Sequence, residues 1–293
     1  MKQQIQKVFH HFGYEIHRVQ GERQRTEKPL PRVRTVAPVD VIWPLPRNGN
    51  ELSSELIREQ FAKFDAWHYA YEFEGGLSFP RRYGKDKPAE DPNRPPQRFR
   101  HLMPHLLAAH GGSFQGRRVL DIGCNSGFWS TQCALRGAQV VGFDARPQNI
   151  EAANLVKRVA GISNVEYKVL DFWSMSPESL GGVFDVVLCL GFLNHLPCSI
   201  HALRLMKSMS RKHILLDTSV HVSADPVIEL QWQQSDDIRH AKRYGIVAIP
   251  SKKAVELMFK EIGVVDSFEI PIINADVPED YRKQYRGCWL ITV

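Results

Sequence analysis

The sequence predicts an open, doubly wound α/β sheet of seven mostly parallel strands, preceded by an N-terminal helical cap. From about Arg98 onward, short apolar runs rich in β-branched residues alternate with segments of helical character. Continuous apolar strands separated by helices are typical of parallel sheets that are buried on both faces. Right-handed crossovers between such strands give the doubly wound arrangement. A glycine-containing turn after the first run, and an aspartate that ends the second, place a ligand site at the carboxyl edge of the sheet.

The predicted elements follow one another in a regular order. Five strands carry the core, at RVLDI (118–122), QVVGFD (139–144), VEYKVL (165–170), FDVVLCL (184–190) and HILLDT (213–218). Helices are predicted near 127–137, 146–160 and 197–210. A mixed region follows Thr218, and after it come a helix at 251–262 and two last strands near 264–272 and 287–293.

The first hundred residues have a different pattern. An apolar stripe at helical spacing predicts a short amphipathic helix, which packs on the body of the protein or on a second subunit; the stripe consists of Ile5, Val8, Phe9 and Phe12. Prolines and arginines then indicate an extended connector, residues 51–71 are predicted to be helical, and 75–96 are predicted to be irregular. We expect three parts: the helix and connector at 1–50, the cap at 51–105 and the ligand-binding domain at 106–293.

Composition indicates a cytoplasmic protein with reduced thiols. The chain has 293 residues, of which 43% are hydrophobic, and it contains no apolar run long enough for a membrane span or a signal peptide. The five cysteines form no C-x-x-C pair, which argues against a structural zinc site, and we expect no metal. The net charge of +6 is concentrated in the N-terminal segments, and such a basic arm supports an anionic partner only weakly.

The glycine turn predicts a nucleoside site. Gly123 allows a sharp turn and Gly127 allows close approach at the start of the next helix. Asp144 follows Gly123 at the distance usual for a carboxylate that binds ribose hydroxyls. A dinucleotide site would require a glycine where Asn125 stands, and Asp121 would repel phosphate while attracting an amine. S-adenosylmethionine therefore fits better than NAD.

In order and spacing, VLDIGCNSG, Asp144, Asp171-Phe172 and FDVVLCLGFLNHL resemble the motif series of class I S-adenosylmethionine-dependent methyltransferases. The resemblance covers about residues 117–220, and Asn125 departs from it where the family usually has glycine. It implies a Rossmann-like methyltransferase fold and S-adenosylmethionine as cofactor. The residues implied to bind the cofactor are Asp121, Gly123, Cys124, Asn125 and Gly127 in the turn, Asp144 and Ala145 at the ribose, Asp171 and Phe172 at adenine, and Leu190 and Gly191 on the floor of the pocket.

A finer resemblance extends beyond this core. Trp67-His68, GFLNHL and IPSKKAVELMFKEIG look like the group that includes the tRNA wobble-uridine carboxymethyltransferases. Those enzymes use a tyrosine where this chain has Asn194, and an arginine to which Arg286 is similar in position. The arginine is kept and the tyrosine is lost. This implies that the cofactor is ordinary S-adenosylmethionine and that the acceptor differs from that of the tRNA enzymes.

His195 is the first candidate for a catalytic base or for a group that orients the acceptor. It follows the fourth strand at the carboxyl edge, and an unperturbed imidazole titrates near neutrality. Alternatively it caps the next helix. Cys124 is expected to pack rather than to act as a nucleophile, because no base is adjacent to it in sequence.

The substrate candidates are Trp67 and His68 as parts of a lid, Asn194, His221 as a second base, and Arg286 for an acidic acceptor. Each also has a structural alternative: aromatic residues such as Trp67 commonly anchor a helix, and a lone arginine near a strand start commonly forms a surface ion pair.

The sequence thus predicts an S-adenosylmethionine-dependent methyltransferase that acts on a small molecule such as a sugar, glycolipid precursor or secondary metabolite, with oxygen favoured as acceptor. An RNA-modifying methyltransferase of the wobble-uridine type is the alternative, and it predicts binding that weakens steeply with salt. A third hypothesis is a scaffold that binds the cofactor without turnover. We expect a small-molecule partner and no membrane span. A homodimer is one arrangement that the first helix would suit.

Overall fold

The computed structural model describes residues 35–47, 52–84, 87–233, 245–272 and 276–293. The predicted helix around Ile5–Phe12 and most of the connector lie outside these residues. Residues 33–293 group into one compact unit. None of the helices that the structure describes is both long enough and apolar enough to cross a membrane.

Seven strands form the central sheet: β5 (Arg118–Ile122), β6 (Gln139–Asp144), β7 (Val165–Val169), β8 (Phe184–Leu190), β9 (Ser210–Ser219), β12 (Asp266–Glu269) and β13 (Arg286–Thr292). Their order across the sheet is β12-β13-β9-β8-β5-β6-β7. The five strands from β9 to β7 are parallel, whereas β12 and β13 are antiparallel to their neighbours. The predicted seven-stranded, doubly wound sheet is confirmed, and strand order reverses between β5 and β8.

Six shorter strands lie outside the main sheet: β1 (Tyr71–Phe73), β2 (Leu77–Phe79), β3 (Arg82–Gly84), β4 (Lys87–Pro88), β10 (Ile228–Trp232) and β11 (Ile246–Pro250). They pair as three antiparallel hairpins, β1 with β2, β3 with β4 and β10 with β11. The β10–β11 hairpin lies in the region after Thr218 that the sequence predicts to be mixed.

Eight α-helices are described: α1 (Ser54–Ala62), α2 (Arg94–Ala109), α3 (Phe128–Ala134), α4 (Pro147–Ala160), α5 (Pro177–Leu180), α6 (Ser199–Met209), α7 (Lys252–Glu261) and α8 (Glu279–Arg282). Local chemistry sets their ends. The Ser53 and Ser251 hydroxyls cap α1 and α7 by accepting hydrogen bonds from backbone N–H groups. Gly161, in the left-handed backbone conformation, ends α4.

Two stretches of the N-terminal region differ from expectation. The helix predicted over 51–71 ends at Ala62, and the chain then turns into β1. The stretch 75–96 contains short strands and the start of the 16-residue α2. Proline suits the first helical turn, because it has no N–H to leave unpaired there. Pro95 and Pro96 follow Arg94 in that turn and are therefore compatible with the helix.

The core lies on both faces of the sheet. Neighbouring residues of β5 point to opposite faces, so Val119 belongs to one buried cluster and Leu120 to the other. The cap shares the first cluster: Phe61 stacks on Trp67 with ring centroids 4.6 Å apart, and the Tyr71 hydroxyl donates to the Ser126 carbonyl at 2.6 Å. Cap and sheet are therefore packed on common side chains, although the predicted division at residue 105 stays a prediction.

Candidate functional site

A large cavity opens at the carboxyl edge of the sheet, where strand order reverses. Its volume is about 1260 Å³, which exceeds the usual size of a pocket for one small ligand. Eight of the eleven predicted cofactor residues line it: Gly123, Asn125, Asp144, Ala145, Asp171, Phe172, Leu190 and Gly191.

The turn from β5 into α3 depends on residues that accept left-handed backbone. Gly123 and Gly127 have φ angles of 64° and 82°. A Cβ at Gly123 would lie 2.6 Å from the Phe192 ring, so a side chain there would collide with the cavity wall. Asn125 has φ 51°, a conformation that asparagine tolerates because its side chain bonds locally; its Oδ1 accepts from the Ser126 N–H at 2.8 Å. The replacement of the family's glycine by Asn125 therefore leaves the turn intact.

Asp144 is held at the end of β6 by several donors, one of which is Arg146 Nε at 3.5 Å. Its carboxylate accepts from the Arg146 N–H at 2.9 Å, from the Asn149 side-chain amide at 2.9 Å and from the Asn125 N–H at 3.2 Å. These bonds fix the carboxylate beside the glycine turn, where it lines the cavity. The arrangement suits the predicted ribose contact.

Asp121 faces α3 rather than the cavity. Its Oδ2 accepts from the Ser130 N–H at 3.0 Å and from the Ser130 hydroxyl at 2.6 Å. Burial raises the pKa of the Asp121 carboxyl to about 7, and the nearby charge of Asp144 adds to the effect. Gly127 and Cys124 also lie behind the cavity wall. Burial raises the pKa of the Cys124 thiol, which is consistent with packing and not with a nucleophile.

The part of the cavity expected to bind adenine is partly aromatic. Asp171 begins a one-turn 3-10 helix, and its Oδ1 accepts from the Trp173 N–H at 3.0 Å. Phe172 packs against Phe192 with ring centroids 5.2 Å apart. Both phenylalanines line the cavity and offer apolar surface for a planar ring.

His195 lies in a one-turn 3-10 helix just after β8, on the cavity wall. Its Nδ1 is 2.7 Å from the Gln233 side-chain nitrogen, and its Nε2 is 3.3 Å from the Asn194 side-chain nitrogen. A neutral imidazole accepts at only one of its two nitrogens, so only one of these amide N–H groups can donate to the ring at a time. Asn194 also lines the cavity, and its Oδ1 is 3.5 Å from the Ser219 N–H.

The remaining substrate candidates divide between the cavity and the core. His68 lines the cavity, whereas Trp67 is buried beneath it, and the Trp67 indole N–H donates to the Phe61 carbonyl at 3.2 Å. His221 lies outside the cavity lining, in a bridge with Ser251, and its Nε2 is 3.9 Å from Glu229. In this structure Trp67 packs in the core, which is the structural alternative to its predicted role in a lid.

Arg286 lies in a buried ionic cluster rather than in a surface ion pair. Asp217 in β9 is fully buried, and its carboxylate accepts from Arg286 Nε at 2.7 Å, from Arg98 Nε at 3.0 Å and from the Tyr281 hydroxyl at 2.7 Å. These bonds and the two positive charges hold the pKa of Asp217 well below its usual range, against the opposing effect of burial.

Arg98, Asp217 and Tyr281 were not predicted as functional residues. The available signal was a charged residue within an apolar segment, namely Asp217 in HILLDT, whereas Arg98 stands between Gln97 and Phe99 in an arginine-rich stretch. Charged residues are almost never fully buried unless they are paired, so Asp217 required a partner. The identity of the partner could not be read, because Arg98 and Asp217 are 119 positions apart.

Among solved structures, the chain resembles the N-terminal domain of EvdMO1, crystallised in the presence of SAH and D-fucose. That likeness covers 84% of this chain and 98% of the other, with a TM-score of 0.63 and 20% identity, and it shows a shared fold. The same domain with SAH bound gives a TM-score of 0.64 at 19% identity, over the same shares of the two chains.

Curated relatives match over a shorter segment. The ubiquinone biosynthesis O-methyltransferase of Acinetobacter baylyi is 30% identical over 104 residues, which cover 36% of this chain and 43% of that protein. Its counterpart from Bordetella avium is 38% identical over 86 residues, which cover 29% of this chain and 35% of that protein. The chain thus spans less than half the length of these relatives.

A family model described as a methyltransferase domain matches residues 95–265, which is more than half of the chain. The match begins in α2 and ends just before β12, so it includes the glycine turn, Asp144 and the whole parallel part of the sheet. The predicted methyltransferase class is therefore confirmed, and the chain belongs to the methyltransferase-domain family.

Proposed function

We propose that this protein transfers a methyl group from S-adenosylmethionine to a small-molecule acceptor, with oxygen favoured over nitrogen. The observation that carries the proposal is the carboxyl edge itself, where Asp144 and the glycine turn open onto one large cavity. The names of the matched relatives, which are O-methyltransferases, support oxygen as the acceptor atom. The presence of D-fucose with the EvdMO1 domain is in keeping with a hydroxylated acceptor such as a sugar.

The described residues fit the adenosyl cofactor. Asp144 would hold the ribose, Phe172 would contact adenine, and the lack of a side chain at Gly123 lets Phe192 pack against the turn at the cavity wall. S-adenosylmethionine, when bound, supplies a sulfonium-activated methyl group. The protein's own contribution is to bind both reactants in one cavity, and such positioning lowers a barrier by up to about 7–11 kcal/mol.

His195 stays our candidate for the group that removes a proton from the acceptor hydroxyl. Its place on the cavity wall supports this role, and a positioned general base contributes roughly 10²–10⁴-fold. Because an amide nitrogen lies within 3.3 Å of each ring nitrogen, one of the two amides must move before His195 bonds to an acceptor.

Calorimetric titration with S-adenosylmethionine, S-adenosylhomocysteine and NAD tests the cofactor. We expect the two adenosyl ligands to bind and NAD not to bind. The loss of a hydrogen bond to a charged group costs about 1.5–3 kcal/mol, so Asp144→Ala is expected to weaken binding by roughly 10-fold to 150-fold. Asp225→Ala, at an exposed aspartate outside the cavity, is the matched control. Tight NAD binding, or equal affinities in all three proteins, would contradict the proposal.

A transfer assay tests the acceptor class. Labelled S-adenosylmethionine is incubated with hydroxylated small molecules, and with tRNA in a parallel arm. We expect label in the small molecules and a much lower rate in His195→Ala. Cofactor binding with no transfer to any acceptor would favour the scaffold hypothesis.

The tRNA arm also tests the finer resemblance, which stays a prediction without support from the relatives named above. If that resemblance is correct, tRNA is labelled and its binding weakens steeply between 50 and 200 mM salt. The homodimer likewise stays a prediction, and sedimentation of the full chain would measure it.

A further inference from the structure

The buried cluster around Asp217 holds two arginine side chains beside the cavity. Arg98 comes from α2 and Arg286 from the first position of β13, and both donate to the same carboxylate. Arg98 Nη2 also donates to Asp217 Oδ2. Arg98 and Arg286 are 4% and 7% exposed, so their orientations are fixed by packing as well as by charge.

One donor group of this cluster is left over. Arg286 Nη2 is buried and has no hydrogen-bond partner among the described residues. A buried donor without a partner costs free energy, about 1–3 kcal/mol for a typical group and more for a charged one. A ligand atom at this position would remove that cost.

The unused donor lies next to Gly191 at the end of β8. A Cβ built on Gly191 would lie 3.4 Å from Arg286 Nη2 and 3.4 Å from Arg98 Nη2. The two guanidinium groups therefore converge on the position that the glycine leaves empty. All three residues line the cavity.

The cluster also has one positive charge too many. Two guanidinium groups share the single charge of Asp217, and burial raises the pKa of Tyr281, which stays a neutral donor. The neighbouring Asp280 accepts two hydrogen bonds of 2.8 and 2.6 Å from Arg94 and also lies 4.0 Å from Arg286 Nη1. Three arginines of this cluster therefore share the two negative charges of Asp217 and Asp280. An uncompensated charge at a buried position is costly unless a ligand of opposite charge completes it.

We propose that Arg98 and Arg286, held by Asp217, bind a carboxylate group of the methyl acceptor in the space beside Gly191. The inference rests on the proposed function, since it names the acceptor class of the same cavity. A carboxylate matches the single excess charge, whereas a phosphate monoester carries close to two negative charges. Guanidinium groups bind carboxylates through paired N–H donors of fixed geometry.

The position of the pair assigns this carboxylate to the acceptor rather than to the cofactor. Asp144 ends β6, while Asp217 lies in β9, three strands away across the sheet. At about 4.8 Å per strand, the separation is roughly 14 Å. The cofactor is expected to lie over β5 and β6 and to reach Leu190 and Gly191 at the end of β8, so the arginine pair, held by Asp217 of β9, lies at the far end of that site.

Trifluoroacetate is a suitable probe, because its ¹⁹F signal reports binding directly and trifluoroethanol is a neutral control. The titration uses full-length protein saturated with S-adenosylhomocysteine. We expect saturable binding of trifluoroacetate and none of trifluoroethanol. Acetate should displace the probe at lower concentration than inorganic phosphate does.

Lysine variants locate the site. Arg286→Lys and Arg98→Lys keep a cation for Asp217 but lose the second nitrogen that faces Gly191. We expect each to weaken trifluoroacetate binding at least tenfold. Arg211→Lys makes the same exchange at an exposed arginine outside the cavity lining and should leave binding within twofold of the wild type. Circular dichroism melting checks that each variant is folded.

The outcomes separate this proposal from the proposed function. Absence of saturable trifluoroacetate binding by the wild type, or equal binding in all variants, would overturn the anion site. Two results together would assign the site to the cofactor: S-adenosylhomocysteine abolishes trifluoroacetate binding, and Arg286→Lys lowers the affinity of the protein for S-adenosylhomocysteine. The arginines would then bind the carboxylate of the cofactor, and the assignment to the acceptor would be wrong. If S-adenosylhomocysteine does not bind at all, the proposed function fails, and titration of the ligand-free protein still decides whether the anion site exists. Should a lysine variant not fold, the wild-type titration with its neutral and phosphate controls decides alone.

Discussion

Asp121 shows how a single carboxyl can be structural and titratable at once. It lies within β5, is 2% exposed, and joins the strand to α3 through two bonds to Ser130. An ordinary aspartate has a pKa of 3.8, and burial raises that of Asp121 to about 7. The folded protein therefore holds a proton here over a pH range in which the unfolded chain has lost it.

This proton determines the direction of a pH dependence. Because the folded state binds more protons between about pH 4 and pH 7, the contribution of Asp121 to the free energy of unfolding falls as pH rises through that window and levels off above it. Asp121→Asn removes the titration but keeps an acceptor for Ser130. We expect the free energy of unfolding of Asp121→Asn, relative to wild type, to increase from pH 4 to pH 7 by up to about 4 kcal/mol.

Urea unfolding of both proteins at several pH values measures this difference. Other titrating groups are common to the two proteins and cancel in the comparison. Asp225→Asn, at an exposed aspartate, is the control and should show a flat difference. A flat difference for Asp121→Asn as well would show that its pKa is ordinary.

At the scale of elements, the turn between β5 and α3 is where backbone geometry and packing meet. A Cβ at Gly127 would lie 2.2 Å from the Tyr167 hydroxyl oxygen of β7, and the φ angle of 82° adds strain for any other residue. The Tyr167 hydroxyl donates to the Gly127 carbonyl at 3.4 Å. An added methyl group must therefore displace a tyrosine that supports the turn.

Gly116 provides a matched comparison for this position. Its φ angle is 69°, but a Cβ there would meet no atom within 4 Å. We expect Gly116→Ala to cost about 1–2 kcal/mol from backbone strain alone and to leave binding of S-adenosylhomocysteine unchanged. Gly127→Ala should cost more and weaken that binding at least tenfold. Equal effects of the two substitutions, measured by urea unfolding and calorimetry, would mean that the contact with Tyr167 is unimportant.

Elements with a local pattern were predictable from the sequence. The strands β5, β6 and β8 coincide with the predicted runs, because buried parallel strands are continuously apolar and end at glycine or polar residues. The glycine turn and Asp144 were found for the same reason, since a fixed spacing along the chain defines them. Helix α2 was not predicted, because Pro95 and Pro96 end a stretch rich in proline, arginine and glycine, which is typical of irregular structure.

Features that depend on distant residues were not predictable. The cluster of Arg98, Asp217, Tyr281 and Arg286 joins a helix, a central strand, a short helix and the last strand. No spacing rule links these positions, and for Arg286 the sequence predicted either an acidic acceptor or a surface ion pair. The packing of Trp67 behind the cavity was equally hidden, because a lid and an anchor have the same aromatic signature.

At the scale of the whole molecule, the cap and the sheet share one core. The Gln132 side-chain oxygen of α3 accepts from the Ile42 N–H at 2.8 Å, and Arg94 of α2 pairs with Asp280 of α8. Tyr69 stacks on Phe128 with ring centroids 4.9 Å apart, which joins the cap to the first turn of α3. Through these contacts, the cap forms part of the structure that supports the cavity wall.

A substitution in the cap should therefore destabilise the whole protein. Phe61 is 1% exposed and stacks on both Trp67 and Phe79, so Phe61→Ala is expected to cost about 3–5 kcal/mol. Leu56→Ala, in the same helix at a side chain that is 40% exposed, is the control and should cost much less. If cap and sheet unfold together, tryptophan fluorescence and far-UV circular dichroism of Phe61→Ala will report one coincident transition, shifted to lower denaturant. A cap that unfolds independently would instead give a separate early transition that leaves the main midpoint unmoved, and S-adenosylhomocysteine would then stabilise only the later one.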